Sequence, residues 1–223
     1  MKKIFVIMVI LFSAGSKLSA QSEQKLHFGL KATPSLAWLS TDTKDVASDG
    51  TKLGFGYGLI TEFKFAEHYA FATGIDVNYR GGTLKSTSSS NGTTTIIADE
   101  YNIQYVELPL TLKLKTNEIG SLTYYLQAGL SPGLNIRAKA DRTTTKQDGS
   151  NPPTTESETV DIKDDVNNFN LAMIIGGGVE YTLSGSTVIL AGITFNNGFL
   201  DIADSDAIKA NSNFLGLTLG VLF

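Results

Sequence analysis

The chain has 223 residues, a formal net charge of −4 and no cysteine, which excludes disulfides, thiolate metal sites, cysteine nucleophiles and acylation of an N-terminal cysteine. The acidic balance is the opposite of the basic footprint of a nucleic-acid-binding protein. Only 18% of the residues are charged and 22 are glycine, which is an unusual composition for a soluble surface.

Residues 1–20 have the layout of a secretory signal peptide. Two lysines precede the apolar run 4–12, and small residues then lead to a cleavage site after Ala20. The apolar run is well short of the roughly 20 residues that a membrane-spanning helix needs. We therefore expect secretion through the inner membrane and a mature domain at 21–223. Its formal charge is −7, because the whole chain has a charge of −4 and residues 1–20 contain three lysines and no acid.

The mature part shows period-two alternation in segments of about ten residues, a spacing that places successive side chains on opposite faces of a strand. Eight segments predict strands, in chain order 26–38, 54–65, 71–80, 107–115, 124–137, 169–181, 188–199 and 215–223. In the last segment Leu215, Leu217 and Leu219 share one face, and Gly216 and Thr218 lie on the other.

The connections between these segments alternate in length. Long, polar stretches lie near 41–51, 86–98, 140–167 and 203–211, and short ones near 66–69, 116–121 and 183–186. Short turns at one end and long loops at the other are typical of outer-membrane barrels, whose turns face the periplasm. The sequence therefore predicts an all-β fold, an eight-stranded antiparallel up-and-down transmembrane β-barrel.

A soluble β-sandwich or lipocalin-like barrel is the structural alternative, because it also alternates apolar and polar residues. A soluble barrel would bury its bulky apolar face, and the small opposite face of Gly, Ala, Thr and Asn would meet water. Here the bulky face also carries Tyr and Phe, while charges are embedded among the small residues. This distribution favours a bulky face toward lipid and a small face inside the narrow lumen of eight strands.

The lumen face carries five cations and four acids. They are Lys31, Lys64, Arg80, Lys113 and Arg137, with Glu62, Asp76, Glu107 and Glu180. Nearly balanced charges in a narrow space predict ion pairs that close the lumen, so we expect no large pore. A proton or small-ion path along the same groups is the functional alternative, since structural ion pairs and functional ones have similar sequence patterns.

The hexapeptide Tyr-Val-Glu-Leu-Pro-Leu at 105–110 resembles the signature of an outer-membrane β-barrel domain common in Bacteroidota, which includes PorT-like proteins and small OmpA-like barrels. Residues 29–31 and 127–129 resemble it as well, and the resemblance covers 26–223. It implies an eight-stranded barrel without fixing an activity; its PorT branch is associated with a protein-secretion machinery. Phe223 resembles the C-terminal aromatic signal that the barrel-assembly machinery reads.

Catalysis has little support in the sequence. The two histidines, His27 and His68, are both predicted at the periplasmic end, and no ligand spacing indicates a metal. The glycine clusters 54–58 and 176–178 lack the Lys-Ser/Thr of a phosphate loop. Pro109 cannot donate to a ladder and predicts a bulge or local kink. We expect neither an enzyme nor a bound cofactor or metal.

The loops are the expected place for function. Segment 140–167 contains seven acids and three basic residues, which suits a divalent cation bridging lipopolysaccharide, a partner protein or solvated disorder. Two functional hypotheses follow. The first is a structural or interaction protein of the outer membrane, surrounded by lipid and presenting its loops to a protein partner. The second is a small-solute conduit or an accessory of a secretion machinery.

Overall fold

The computed structural model describes residues 26–90, 92–149, 151–203 and 209–223; the expected signal peptide, 1–20, lies outside them. The strands of these ranges are β1 (Leu26–Thr41), β2 (Val46–Ser48), β3 (Lys52–Ala66), β4 (Tyr69–Ser90), β5 (Thr93–Glu107), β6 (Leu110–Lys115), β7 (Leu122–Asp148), β8 (Thr154–Asp161), β9 (Phe169–Ser184), β10 (Thr187–Gly198) and β11 (Ala210–Leu222). Among the described residues there is no helix with the length and hydropathy that a bilayer crossing would need.

Eight lines of strand close into an antiparallel barrel. The order around the wall is β1, β3, β4, then β5 with β6, then β7, β9, β10 and β11, which pairs again with β1. Residues 67–68, 116–121 and 185–186 form the turns of one end, which we call the short-turn end. The predicted eight-stranded antiparallel barrel is thus confirmed, and its closure leaves no open sheet edge for hydrocarbon to meet.

Pro109 divides one line of the barrel into β5 and β6. The pairs Asp76–Glu107 and Thr73–Leu110, on either side of the division, keep the same register. The sequence predicted a bulge or a kink here. The structure has an interruption of the ladder without an inserted residue, because proline lacks only the N–H that the ladder would use.

The outer face of the wall is apolar. On β11, Leu215, Leu217 and Leu219 are exposed, whereas Thr218 is buried inside. Exposed Leu, Ile, Phe or Tyr side chains recur on β1, β3, β4, β6, β7, β9 and β10. Because an apolar surface of this extent is not tolerated in water, the wall faces lipid and the barrel spans a membrane, as the sequence predicted.

Aromatic side chains mark both borders of the apolar band. The rings of Tyr57 and Tyr79 lie 6.4 Å apart toward the long-loop end, and those of Phe65 and Tyr69 lie 6.2 Å apart at the short-turn end. Ten residues of β3, counted back from Phe65, span about 25 Å at a tilt of about 40°. This height is that of the hydrophobic band of an outer-membrane barrel.

The predicted long loops 86–98 and 140–167 are largely strands, so that part of the loop prediction was wrong. Strand β4 pairs with β5 up to Ser90–Thr93, around a turn that contains Gly92 with a φ of 82°. Strands β7 and β8 form a second hairpin. We call the part of the sheet beyond the barrel, 46–48, 84–90, 93–100, 139–148 and 154–161, the hairpin sheet. Its Thr side chains favour strands, and its Thr and Ser residues together give no apolar alternation.

The hairpin sheet bends over the barrel mouth. The β3–β4 ladder ends at the pair Phe55–Tyr79, and β4 then crosses to β1. A Cβ atom on Gly82 would lie 2.7 Å from the backbone nitrogen of Leu39, so this crossing requires glycine. Beneath the bend lies an apolar cluster, which we call the mouth plug. Its residues are Leu39, Leu84, Ile103, Tyr105, Ala138, Ala140, Ile162, Val166, Ile202 and Ala210.

A charge on the outer face should destabilise the barrel according to its depth in the bilayer. Leu219→Arg lies near the middle of the band and should lower the free energy of unfolding in lipid by about 2–4 kcal/mol. Leu36→Arg is the matched control, because Leu36 pairs with Leu53 at the border of the band and should cost about 0–1 kcal/mol. Urea unfolding in bilayers, followed by the fluorescence of Trp38, measures both. Equal effects would contradict the assigned outer face.

Candidate functional site

Four charged side chains form a closed set of ion pairs inside the barrel near the short-turn end. Lys113 donates to Glu62 and to Glu180, the latter at 2.5 Å. Lys115 Nζ lies 2.6 Å from Glu62 Oε2 and 2.8 Å from Glu180 Oε2. We call these four residues the charge ring. Two cations alternate with two carboxylates, so the ring is neutral; Lys113, Glu62 and Glu180 are buried, and Lys115 is partly buried.

Aromatic and apolar side chains fill the space beside the charge ring. The Lys113 ammonium lies 4.0 Å from the centre of the Tyr125 ring, a favourable cation–π distance. Tyr125 packs with Ile60, Leu190 and Leu222. This level of the lumen is therefore occupied by paired charges and packed side chains.

A second buried ion pair lies further toward the mouth. Arg80 Nη2 donates to Glu107 Oε1 at 2.6 Å, and Asn78 Nδ2 donates to Glu107 Oε2 at 2.8 Å. Arg80 Nη1 also donates to Asn196 Oδ1 at 3.0 Å. The guanidinium lies 4.6 Å from the centre of the Tyr105 ring. Both charges of the pair are thus held by several partners, which offsets the desolvation cost of burying them.

Two smaller polar groups lie between these levels. Lys31 Nζ is 2.7 Å from Asp76 Oδ2. The hydroxyls of Thr194 and Thr218 lie 2.9 Å apart, and that of Thr33 lies 3.4 Å from Thr218. Lys31, Thr33, Asp76, Thr194 and Thr218 all occupy inward positions of their strands, so period-two alternation alone brings them to the lumen.

The structure brings together seven of the nine residues that the sequence assigned to the lumen, in the charge ring, the Arg80–Glu107 pair and the Lys31–Asp76 pair. Lys64 is half-buried and lines a cavity of about 600 Å³ at the short-turn end. His27 and His68 line the same cavity.

Arg137 is exposed, so its assignment to the lumen was wrong. Gln104 pairs with Arg137, but the next residue, Tyr105, pairs with Asn135. Ile136 is therefore an extra residue in β7, and both it and Arg137 lie on the outer face. Such a bulge reverses the inward and outward positions of every residue after it. Ile136 and Arg137 fit an unbroken alternation in the sequence, which gives no signal of the bulge.

Lys115 is the lumen residue that the sequence reasoning missed. It ends the predicted segment 107–115 on the same polar face as Lys113, so the alternation already placed it on the lumen side although it was left out of the predicted charges. Within the described ranges, no group of three His, Asp or Glu side chains is placed so that it could hold a metal ion.

A second polar network, also missed, ties the hairpin sheet to the end of β3. Lys52 donates to Glu100 and, at 2.5 Å, to Asn102 Oδ1. Asn102 Nδ2 donates to Asp141 Oδ2 at 3.0 Å, and the Thr159 hydroxyl donates to Asp141 Oδ1 at 2.6 Å. Four strands are linked in this way. The pairing of the strand extensions creates the network, and the sequence reasoning took much of this region for loops.

The closed wall, the apolar outer face and the filled lumen define an integral outer-membrane β-barrel. The chain belongs to the outer membrane protein beta-barrel domain family, whose model matches residues 19–204. No curated protein shows significant sequence similarity to the chain.

Among solved structures, Neisserial surface protein A is similar to this chain at 12% identity and a TM-score of 0.47, over 91% of this chain and 100% of that one. Ail, the attachment invasion locus protein of Yersinia pestis, is 11% identical with a TM-score of 0.39, over 90% of this chain and 100% of that one. OprG from Pseudomonas aeruginosa is 11% identical with a TM-score of 0.39, over 92% of this chain and 99% of that one.

Breaking the neutrality of the charge ring should destabilise the barrel. Lys113→Met leaves one cation with two buried carboxylates, and we expect a loss of about 3–5 kcal/mol in the free energy of unfolding. Lys113→Met combined with Glu62→Gln restores neutrality and should recover most of that loss. Urea unfolding in detergent compares the two variants; a double variant as unstable as the single one would contradict a role for charge balance.

Proposed function

We propose that this protein is a non-conducting interaction protein of the outer membrane, in which a closed barrel anchors the hairpin sheet for a protein partner. The observation that carries the proposal is the filling of the lumen at three levels: the charge ring, the Arg80–Glu107 pair and the mouth plug. A barrel filled in this way offers its outer surfaces for function.

A solute crossing this lumen would have to break buried ion pairs at two levels and displace an apolar cluster at the third. Separating a buried pair leaves uncompensated charges, which costs about 3–5 kcal/mol for each pair. The apolar side chains of the mouth plug add a barrier to any ion, because they offer it no polar ligands. These costs favour an interaction protein over the alternative of a small-solute conduit.

The hairpin sheet has the features of a partner surface. Within the described residues, β8 pairs with β7 along one edge and with no strand along the other. Its backbone is thus available to an added strand, and β-augmentation is a common mode of peptide recognition. Glu156 and Glu158 are exposed on β8 and favour a basic partner segment. Such charges also protect the edge against indiscriminate aggregation.

The hairpin sheet is held in a fixed position relative to the barrel. Lys52 joins it to β3, and Arg142 forms two hydrogen bonds, of 2.8 and 3.0 Å, with the carboxylate of Asp99 across β5 and β7. A bidentate pair of this kind fixes geometry as well as charge. Because the surface is already ordered, a partner would lose little binding free energy in ordering it.

The accessory role in secretion, which the PorT-like resemblance implies, is a special case of this proposal in which the partner belongs to the secretion machinery. Lipid surrounds the barrel in either case. During biogenesis, we propose that the barrel-assembly machinery recognises Phe223. Its backbone N–H donates to the carbonyl of Phe28 at 2.7 Å, so this residue lies where β11 pairs with β1 to close the barrel.

We also propose that the protein is not an enzyme. His27 and His68 line the cavity at the short-turn end, together with Lys and Glu side chains. This is the end that faces the periplasm in outer-membrane barrels. Hydrolases of the outer membrane need a His aligned with a nucleophile and positioned by an acid. The inward histidine, His27, lies among the charges of the ring and beside no serine in that lining.

Planar-bilayer recording should detect no steady conductance from the wild-type protein. The physical reason is that the paired charges and the mouth plug leave no continuous aqueous path. The variant Arg80→Ala with Glu107→Ala should remain silent too, because the charge ring and the mouth plug still close the lumen. Reproducible single-channel steps in the wild type would contradict the proposal.

Shortening the β7–β8 hairpin should abolish partner binding and leave the barrel intact. Thr143 pairs with Ser157, so residues 144–156 can be replaced by Asn-Gly, a two-residue hairpin turn. Heat-modifiable migration on a gel should be unchanged. A protein cross-linked to the wild type in intact cells should be lost from the shortened variant; unchanged cross-linking would argue against the hairpin sheet as the partner surface.

A further inference from the structure

A pocket opens on the outside of the wall where β4 leaves β3. The β3–β4 ladder ends at Phe55–Tyr79, while β3 continues to Lys52 in its ladder with β1. The pocket has a volume of about 290 Å³ and is lined by side chains of β3, β4, β5, β7 and β8. Its lining includes Leu53 and Tyr79 together with four cations, which are Lys52, Arg137, Lys139 and the Arg80 that is paired with Glu107.

This pocket lies on the border of the apolar band. Along β7 the outward residues change from the exposed Leu134 and Ile136 to Arg137 and Lys139. Along β5 they change from Val106 to the polar Gln104 and Asn102 in the same direction. Outer-membrane barrels carry their longer extensions outside the cell. The pocket therefore lies at the level of the headgroups of the outer leaflet.

The cations of the pocket differ in their partners. Lys52 is engaged by Glu100 and Asn102. The side chains of Arg137 and Lys139, in contrast, form no hydrogen bond or ion pair with any residue of the described ranges. Asp141, the acid in the lining, accepts hydrogen bonds from Asn102 and Thr159. The pocket thus presents two unpaired cations beside an acid that already has partners.

We propose that this pocket binds a phosphate group of a phosphorylated glycolipid of the outer leaflet. Arg137 and Lys139 supply the charge-assisted hydrogen bonds that a phosphate accepts. Leu53 and Tyr79, which are 83% and 43% exposed, provide apolar contact for the first part of an acyl chain. A basic cleft at the membrane border, with apolar surface below it, is a general form of lipid-headgroup site.

The β-bulge at Ile136 creates this site. If the alternation of β7 continued past Asn135 without the bulge, Arg137 would point into the lumen as a further cation. With the bulge, Arg137 and Lys139 share the outer face of β7 at the border of the band. Bulges are a common means of redirecting a side chain to a functional position.

Native mass spectrometry of the purified protein in detergent tests the proposal, with diphosphorylated lipid A and its dephosphorylated form as the two probes. Wild-type protein should retain the phosphorylated lipid at least about tenfold better, as expected for one hydrogen bond to a charged group. The variant Arg137→Gln with Lys139→Gln should lose this preference. Lys146→Gln is the matched control, because Lys146 is exposed on β7 away from the pocket, and it should behave as wild type.

Heat-modifiable migration confirms that each variant is folded, which we expect because neither side chain contributes contacts to the lumen. An undiminished preference in the folded double variant would overturn the proposal. Displacement of the lipid by an equal concentration of inorganic phosphate would indicate a site for a free anion and would overturn the lipid assignment. Leu53→Ser should reduce retention of both forms of the lipid; unchanged retention would overturn the acyl-chain contact.

Discussion

Charge pairing in a narrow lumen is the constraint on which the rest of this structure depends. An eight-stranded barrel leaves room for side chains and little else, so an inward Lys, Arg, Asp or Glu must find an opposite charge there. The charge ring meets this requirement with two lysines and two glutamates. Arg80 meets it by pairing with Glu107, which also accepts a hydrogen bond from the Asn78 amide. The lumen consequently contains a polar core of paired charges.

Because side chains fill the lumen, the proposed function depends on surfaces outside it. At the long-loop end, two surfaces lie beyond the lipid-facing band, the hairpin sheet and the pocket at its base, and the Lys52 network joins them. Both exist because β4, β5, β7 and β8 continue past the barrel and bend over its mouth. The same bend covers the mouth plug. One change in strand direction therefore both covers the barrel mouth and positions the hairpin sheet above it.

Prediction from the sequence succeeded where side chains alternate between lipid and lumen. Leu217 and Thr218 lie in environments so different that the period of two is visible directly in the residues. It failed where both faces of a strand are polar: the Thr- and Ser-rich extensions of β4, β5 and β7 have no such contrast, and they are strands because neighbouring strands offer them a ladder. Lys113 and Glu180 could be assigned to the lumen, but their mutual contact depends on the stagger of the strands.

The sequence by itself determined the number of barrel strands, the face that each turns to lipid and the near balance of the inward charges, because the bilayer imposes these on every strand separately. Only the tertiary structure decided which charges meet, that β4 crosses to β1 at Gly82, and that Arg137 lies outside. Each of these depends on the register between strands, and one extra residue such as Ile136 changes that register without altering the local alternation.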